Sequence, residues 1–181
     1  MKQNKLTAIV CTILFFVYSN CRAQTTISSG LLTVRKTIEN TNALYFNLFA
    51  KKDGAIVDLY TDDACLLAPN MPPISGKRAL KKDFEDTFAD GKVKGVKFQT
   101  GNIYGDGKEY VTEEGTWQVF EPSGKLLDDG KYLKLWRLTK TGWKIFRDSF
   151  NSNHKRGDNG IINSNLIIGN PRKRPHHLIV K

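Results

Sequence analysis

The stretch "GKYLKLWRLTKTGWKIFRDSFNSN", residues 130–153, decides the fold because it predicts two long strands joined by a tight turn. Apolar and polar residues alternate on both sides of "KTG", which is the two-residue period of a strand with one buried face. The segments "VKGVKFQTGNIYG" and "KEYVTEEGTWQVFEP" show the same period, and "GDG" and "EPSGKLLDDG" separate the strands. We therefore predict a run of four antiparallel strands.

The residues before Gly91 follow the helical period instead. Apolar side chains recur three and four residues apart from Ile27 to Leu48, which predicts one helix of about six turns. A short second helix is predicted after Asp53, and a third from a cap at Ser75 to a stop at Gly91. The two prolines of "NMPPISG" predict a loop. This order predicts an α+β fold, with N-terminal helices packed on one face of a strongly curved, mainly antiparallel sheet.

Residues 1–23 have the anatomy of a secretory signal peptide: two early lysines, an apolar run and small residues before a cut after Ala23. The apolar run is shorter than the roughly 20 residues of a membrane-spanning helix. Lipid attachment at Cys21 is the disfavoured alternative, because Asn20 suits a lipoprotein signal poorly. We therefore predict an exported protein, periplasmic or secreted, with a single domain at residues 24–154.

Residues 155–181 form a basic tail without a clear amphipathic period. The net charge of +10 is concentrated in this tail and in the signal segment, so the domain itself carries little net charge. We therefore expect no nucleic-acid partner. The tail is predicted to be a flexible extension. The alternative is that "RKRPHH" makes weak contact with acidic lipid headgroups at a membrane surface.

Cys65 is the one cysteine of the predicted domain, which excludes an internal disulfide, and we interpret it as a small buried apolar side chain. The first histidine of the sequence is His154, which argues against a histidine-dependent triad or a His-rich metal site in the domain. The acidic residues are scattered without ligand spacing, and there is no glycine-rich phosphate loop. We therefore predict neither a metal site nor a cofactor.

With this order of elements, the sequence resembles the nuclear-transport-factor-2-like superfamily, and within it the SnoaL-like and ketosteroid-isomerase-like branch, often described only as a domain of unknown function. The resemblance covers about residues 28–153 and rests on "DLYTDDACLLAPNMPPISGKRALKKDF", "EEGTWQVF", "GKYLKLW" and "GWKIFRDSFNSN". It implies a cone-shaped fold with a deep apolar pocket between helices and sheet, and commonly a homodimer. It implies no single activity, because this scaffold carries isomerases, cyclases, dehydratases, binding proteins and assembly modules.

Asp148 is the candidate catalytic residue. Side chains alternate along a strand, so Asp148 is expected on one face with Phe146 and Phe150. If that face looks into the cone, burial raises the pKa of the carboxyl group and suits it to proton transfer near neutral pH. The resemblance points the same way, since related enzymes use an isolated pocket carboxylate. The alternative is a structural aspartate held by backbone amides or by Arg137, and both interpretations stay open.

Aromatic and acidic side chains elsewhere are candidates for ligand binding. "YTDDA" is expected near the pocket mouth, although acids in such positions more often cap turns. The aromatic residues of the strands offer surface for a planar apolar ligand, but core packing or dimer contacts explain them equally. Lys134 shares their predicted face, which we therefore expect to be partly wet. The candidate substrate-binding residues are Tyr60, Asp62, Trp117, Tyr132 and Trp136.

The function predicted from these features is the binding of a small apolar or amphipathic molecule, with acid–base chemistry of the isomerase, dehydratase or cyclase type if the protein is an enzyme. Two departures weaken the enzymatic interpretation. The base, tyrosine and protonated acid of ketosteroid isomerases have no residue-by-residue match, and the pocket histidine common in SnoaL-type cyclases is absent. The rival prediction is a non-catalytic dimerisation or protein-interaction module, which a cavity filled by side chains would favour.

Overall fold

The computed structural model describes residues 29–154. The predicted signal segment and basic tail lie outside these residues. No helix in the described part is both long and apolar enough to cross a membrane. The elements are α1 (Ser29–Ala50), a 3-10 helix (Gly54–Leu59), β1 (Tyr60–Leu67), β2 (Ile74–Ser75), α2 (Lys77–Asp90), β3 (Gly95–Gly105), β4 (Tyr110–Phe120), β5 (Leu126–Thr139) and β6 (Gly142–Ser152).

The helix ends follow local capping chemistry, with one correction. Asp53 caps the 3-10 helix as predicted, because its carboxylate accepts a hydrogen bond of 2.9 Å from the amide of Ala55. Gly91 ends α2 in the left-handed conformation, also as predicted. The predicted cap at Ser75 is wrong: Ser75 belongs to β2, and Gly76 precedes α2 with φ of 83° and no side-chain cap.

The sheet has six strands in the order β2–β1–β6–β5–β4–β3. β1 pairs with β6 in parallel and the other neighbours are antiparallel. The four predicted strands are confirmed as β3 to β6. β2 was predicted as loop, and its two residues pair with β1 directly after the two prolines. The curved, mainly antiparallel sheet with helices on its inner face confirms the predicted α+β cone.

A β-bulge at Phe146 changes which side chains of β6 face inward. Leu135 lies opposite Arg147 while the next residue, Trp136, lies opposite Ile145, so Phe146 is the extra residue. Ile145 is therefore buried with Asp148, and the prediction that Phe146 shares the face of Asp148 is wrong. The ring of Phe146 instead lies 3.6 Å from the guanidinium carbon of Arg147.

Two glycines make room for aromatic rings on the inner face of the sheet. Gly115 lies opposite Tyr132 and Gly130 opposite Trp117 in the strand register. A Cβ at Gly115 would lie 2.7 Å from the hydroxyl oxygen of Tyr132, and one at Gly130 would lie 2.7 Å from Nε1 of Trp117. Each ring thus occupies space that any larger residue at the glycine would take, which is why these strand positions have no side chain.

Candidate functional site

Three ionisable side chains form a row across the inner face of the sheet. Glu113 of β4 lies opposite Lys134 of β5, and Lys134 lies opposite Asp148 of β6. Their exposed fractions are 0%, 0% and 3%. Burying charge in a protein core is unfavourable unless each group is paired or hydrogen-bonded, so the partners of this row decide its chemistry.

Asp148 is only half satisfied. The hydroxyl of Tyr60 donates a 3.1 Å hydrogen bond to Oδ2, whereas Oδ1 has no hydrogen-bond partner among the described residues. Burial raises the pKa of the carboxyl group above its ordinary value of 3.8, against the opposing effects of Lys134 and of the Tyr60 hydrogen bond. The alternative partner Arg137 binds Asp63 instead, with Nη1 and Oδ2 3.1 Å apart.

Glu113, in contrast, is saturated with donors. Its Oε1 accepts hydrogen bonds from Asn42 Nδ2 at 2.7 Å, from Thr100 Oγ1 at 2.7 Å and from the Tyr132 hydroxyl at 2.6 Å. Its Oε2 accepts one from Nε1 of Trp136 at 2.8 Å. Four neutral donors therefore hold this carboxylate in place, and it provides a fixed negative charge beside Lys134.

Lys134 is buried against aromatic rings. Its Nζ lies 3.2 Å from the ring centroid of Phe98 and donates to Oδ1 of Asn42 at 3.2 Å. Within residues 29–154 no carboxylate oxygen lies within 4.0 Å of Nζ. Burial lowers the pKa of the amine, while the charges of Asp148 and Glu113 raise it. The prediction that this face is partly wet is wrong, because rings and Asn42 solvate the ammonium group in place of water.

A small cavity lies between the helices and the sheet, next to Asp148. Its volume is about 30 Å³, which is room for about one water molecule. Ligand pockets are typically roughly 300–1,000 Å³, so the interior is nearly filled by side chains in this conformation. The deep apolar pocket that the resemblance implied is therefore closed here, and a filled interior favours the rival interaction module. A second buried carboxylate, Asp83 of α2, also lines the cavity. The aromatic lining comprises Tyr45, Phe49, Tyr60, Phe84, Phe98, Trp117 and Phe150.

The structure brings three of the six predicted site residues together. Asp148, Tyr60 and Trp117 line the cavity. Tyr132 and Trp136 do not line the cavity. Their polar groups donate hydrogen bonds to Glu113 instead. The side chain of Asp62 is 95% exposed and lies 3.8 Å from Nζ of Lys77, outside the cavity.

Three polar residues of the interior were missed by the sequence analysis, and a fourth, Lys134, was placed on this face but expected to be partly wet. Asn42 lies in the buried stripe of α1 between Ile38 and Tyr45. Glu113 and Lys134 occupy inward positions in the period-two alternation of their strands, and Asp83 occupies a buried position on α2. The signal was present: each is a polar residue at a position whose period predicts burial.

Comparison with known proteins identifies the fold. No family model and no curated protein sequence matches this chain. A solved NTF2-like protein with a cystatin-like fold from Novosphingobium aromaticivorans is similar, with a TM-score of 0.56, 20% identity, and coverage of 70% of this chain and 86% of the other. A ketosteroid isomerase-like protein from Erwinia carotovora atroseptica is similar at a TM-score of 0.51 and 20% identity, covering 66% and 96%.

A third similar structure, from Novosphingobium aromaticivorans, is provisionally named a scytalone dehydratase; its TM-score is 0.58 and its identity 18%, with coverage of 75% of this chain and 97% of the other. The structural similarity to these three proteins establishes the fold. Sequence identities of 18–20% leave the activity open. The chain has the nuclear-transport-factor-2-like fold, as the resemblance predicted.

Proposed function

We propose that this protein binds a small amphipathic molecule in the cavity beside Asp148, and that Asp148 transfers a proton to and from it. The observation that carries the proposal is the buried Oδ1 of Asp148, which has no hydrogen-bond partner in the described chain. Buried polar atoms without partners are rare in native proteins because they are costly. A ligand hydroxyl, or an acidic C–H group, would meet this oxygen with aromatic rings on several sides.

Binding of anything larger than water requires the cavity to widen. The element suited to this is α2, which reaches the core with the side chains of Leu80, Phe84 and Phe88 and places Phe84 in the cavity wall. Displacement of Phe84 would expose the apolar lining to the ligand and leave the sheet, with Asp148, unchanged. The closed cavity then corresponds to the ligand-free state.

The proposed chemistry needs no cofactor. Asp148, as carboxylate, removes a proton from a carbon next to a carbonyl group, and the electron pair moves to the carbonyl oxygen as an enolate. The carboxylic acid then returns the proton to a different carbon in an isomerisation, or to a departing hydroxyl group in a dehydration. Burial raises the pKa of Asp148, which makes its acid form a more persistent proton donor than an ordinary aspartic acid. The names of two similar structures, an isomerase-like protein and a dehydratase, agree with this class.

Phenol and cyclohexanone are suitable probes of binding and proton transfer. We expect phenol to shift the NMR signal of the Trp117 indole N–H in a saturable manner. Asp148→Asn should weaken this binding about tenfold, the effect of a hydrogen bond to a charged group. We also expect the protein to accelerate exchange of the α-hydrogens of cyclohexanone with D2O, and Asp148→Asn to abolish the acceleration.

Asp63→Asn is the matched control, because Asp63 is an exposed carboxylate paired with Arg137 and does not line the cavity. Equal phenol affinity in the native protein and in Asp148→Asn would contradict the binding site. Phenol binding that depends on Asp148, without α-hydrogen exchange, would retain the binding function and remove the catalytic one.

We also propose a homodimer formed through the outer face of the sheet, which keeps the interaction module as a second candidate function. Leu133 supports it, being 51% exposed in the middle of that face between Glu114 and Ser149 of the neighbouring strands. Leu133 also lines a surface depression of about 550 Å³. Export, with cleavage after Ala23, is likewise a proposal, and its support is the composition of residues 1–23.

A further inference from the structure

A second polar cluster joins the ends of β5 and β6. Asp128 and Asp129 belong to β5, and His154 follows the end of β6. Nε2 of His154 lies 2.8 Å from Oδ1 of Asp129 and 3.6 Å from Oδ1 of Asp128. One potential ligand atom of each residue lies within 4.8 Å of the other two. The sequence analysis predicted no metal site because the acidic residues are scattered without ligand spacing, whereas strand pairing brings these three residues together.

Asp128 gives an independent reason to expect a ligand. Its side chain is 0% exposed and faces His154. Oδ1 accepts hydrogen bonds from the amide of Asp129 at 2.7 Å and from Oγ of Ser152 at 2.9 Å, whereas Oδ2 has no partner among residues 29–154. Oδ1 is the oxygen that lies 3.6 Å from His154, and the unpaired Oδ2 belongs to the same buried carboxylate. Such a carboxylate is unfavourable unless a cation or a further donor satisfies it. Exposed acidic clusters need no such partner, which distinguishes this cluster from them.

We propose that Asp128, Asp129 and His154 form a binding site for a divalent transition-metal ion of the zinc class. Zinc binds imidazole nitrogen and carboxylate oxygen at about 2.0–2.2 Å in a tetrahedral arrangement, which places ligand atoms roughly 3.3 Å apart. The 3.6 Å separation of His154 Nε2 from Oδ1 of Asp128 is close to this value. The 2.8 Å separation from Oδ1 of Asp129 is a hydrogen bond, which a bound ion would replace. A nitrogen ligand favours zinc over magnesium and calcium, which prefer oxygen alone.

The surroundings suit a metal site in two further ways. Ser152 and the amide of Asp129 orient the carboxylate of Asp128, and Asn153 Nδ2 donates to Oδ2 of Asp129 at 2.6 Å, as outer partners of metal ligands commonly do. The side chains of His154 and Asp129 are 46% and 34% exposed, which leaves access for the ion and for a water molecule as fourth ligand. The bound ion would link the end of β6 to β5 just before residues 155–181.

The test uses the full chain with His176→Ala and His177→Ala, because these are the other two of its three histidines. We expect Zn²⁺ to bind one site with micromolar affinity, to shift the imidazole NMR signals of His154, and to raise the melting temperature by several degrees at saturation. Mg²⁺ at the same concentration should produce none of these three effects. Acidification should weaken the binding of Zn²⁺, because protons compete for all three ligands.

His154→Ala and Asp129→Asn should each reduce the Zn²⁺ affinity at least tenfold. Both side chains are partly exposed, so we expect both variants to fold, and circular dichroism checks this. Asp90→Asn is the matched control, since Asp90 is an acid whose partner is the exposed Lys92. Cys65→Ser should leave the affinity unchanged. Millimolar affinity, or equal affinity in His154→Ala, would overturn the proposal.

Discussion

Lys134 and Asp148 lie directly opposite each other on β5 and β6, both are buried, and their charged atoms are nevertheless not in contact. The ammonium group is centred over Phe98 instead, and Oδ1 of Asp148 is left without a partner. An ion pair in direct contact would fix both protonation states. The separation leaves the carboxyl group under the influence of the lysine charge and still available to a third group.

Replacement of Lys134 by Met tests this influence. The methionine side chain has similar length and packs well against aromatic rings, but it lacks the charge that lowers the pKa of Asp148. We expect the pKa of Asp148, measured by carbon-detected NMR, to rise further in Lys134→Met. Lys131→Met, at an exposed position of the same strand, is the control. A pKa that is unchanged or lower in Lys134→Met would show that the two groups are not coupled.

The pH dependence of stability should reveal Asp148. Below the ordinary pKa of 3.8 the carboxyl group is protonated in both the folded and the unfolded protein. As the pH rises above this value, the unfolded chain releases the proton first, because the folded pKa is raised, and the free energy of unfolding falls. Asp148→Asn lacks this titration. Urea unfolding from pH 3 to pH 8 should show a stability advantage of Asp148→Asn that grows with pH; a constant difference would contradict the burial effect.

Glu113→Gln should destabilise the protein although the side chains are nearly isosteric. Both carboxylate oxygens of Glu113 accept hydrogen bonds, and glutamine replaces one of these oxygens by an NH2 group. That NH2 group must then face a donor, which at the position of Oε2 is the indole N–H of Trp136. We expect a loss of about 1–3 kcal/mol in the free energy of unfolding. Asp63→Asn, which removes an exposed ion pair, should change it by less than about 1 kcal/mol. Equal effects in urea unfolding would refute the buried hydrogen-bond cluster.

Gly130→Ala should lower stability because the added methyl group has no space. Its carbon would overlap the carbonyl oxygen of Asn151 and lie 2.7 Å from Nε1 of Trp117. We expect a loss of about 1–3 kcal/mol, the usual effect of overpacking. Gly54→Ala is the control, since nothing lies within 4 Å of a Cβ there. Thermal melts with an unchanged midpoint for Gly130→Ala would show that the strands can separate to admit the methyl group.

The proposed homodimer predicts that Leu133→Lys dissociates it. A charge at the centre of an apolar contact would be buried without a partner, and two copies face each other across a twofold axis. Sedimentation should give a dimer for the native protein and a monomer for Leu133→Lys. The monomeric variant should still unfold in a cooperative thermal transition. Leu126→Lys, exposed at the start of β5, is the control. A native monomer would remove the proposal.

The elements of this fold were predictable wherever one period runs without interruption. The helical spacing from Leu31 to Phe49 and the alternation in β4 and β5 predict the helix and these strands. The face of Phe146 was not predictable, because one bulged residue reverses the alternation and nothing in the local sequence marks it. The strand at Ile74 was hidden by the prolines before it.

The candidate site was predictable at Asp148 and Tyr60 and not at Lys134 or Glu113. A lysine between aromatic residues usually indicates solvent, and only the packed rings and Asn42 make its burial tolerable. Such compensation depends on residues distant in sequence, in this case 92 positions apart. The size of the cavity was likewise not predictable, since it depends on how completely the side chains fill the interior.

β6 is the last strand in residues 29–154, and it lies between β1 and β5 in the middle of the sheet. The domain therefore cannot assemble its core until residues 142–152 have been synthesised, because β1 has no long neighbour before that point. If the chain is exported as proposed, its core would form only after the residues of β6 have left the translocation channel.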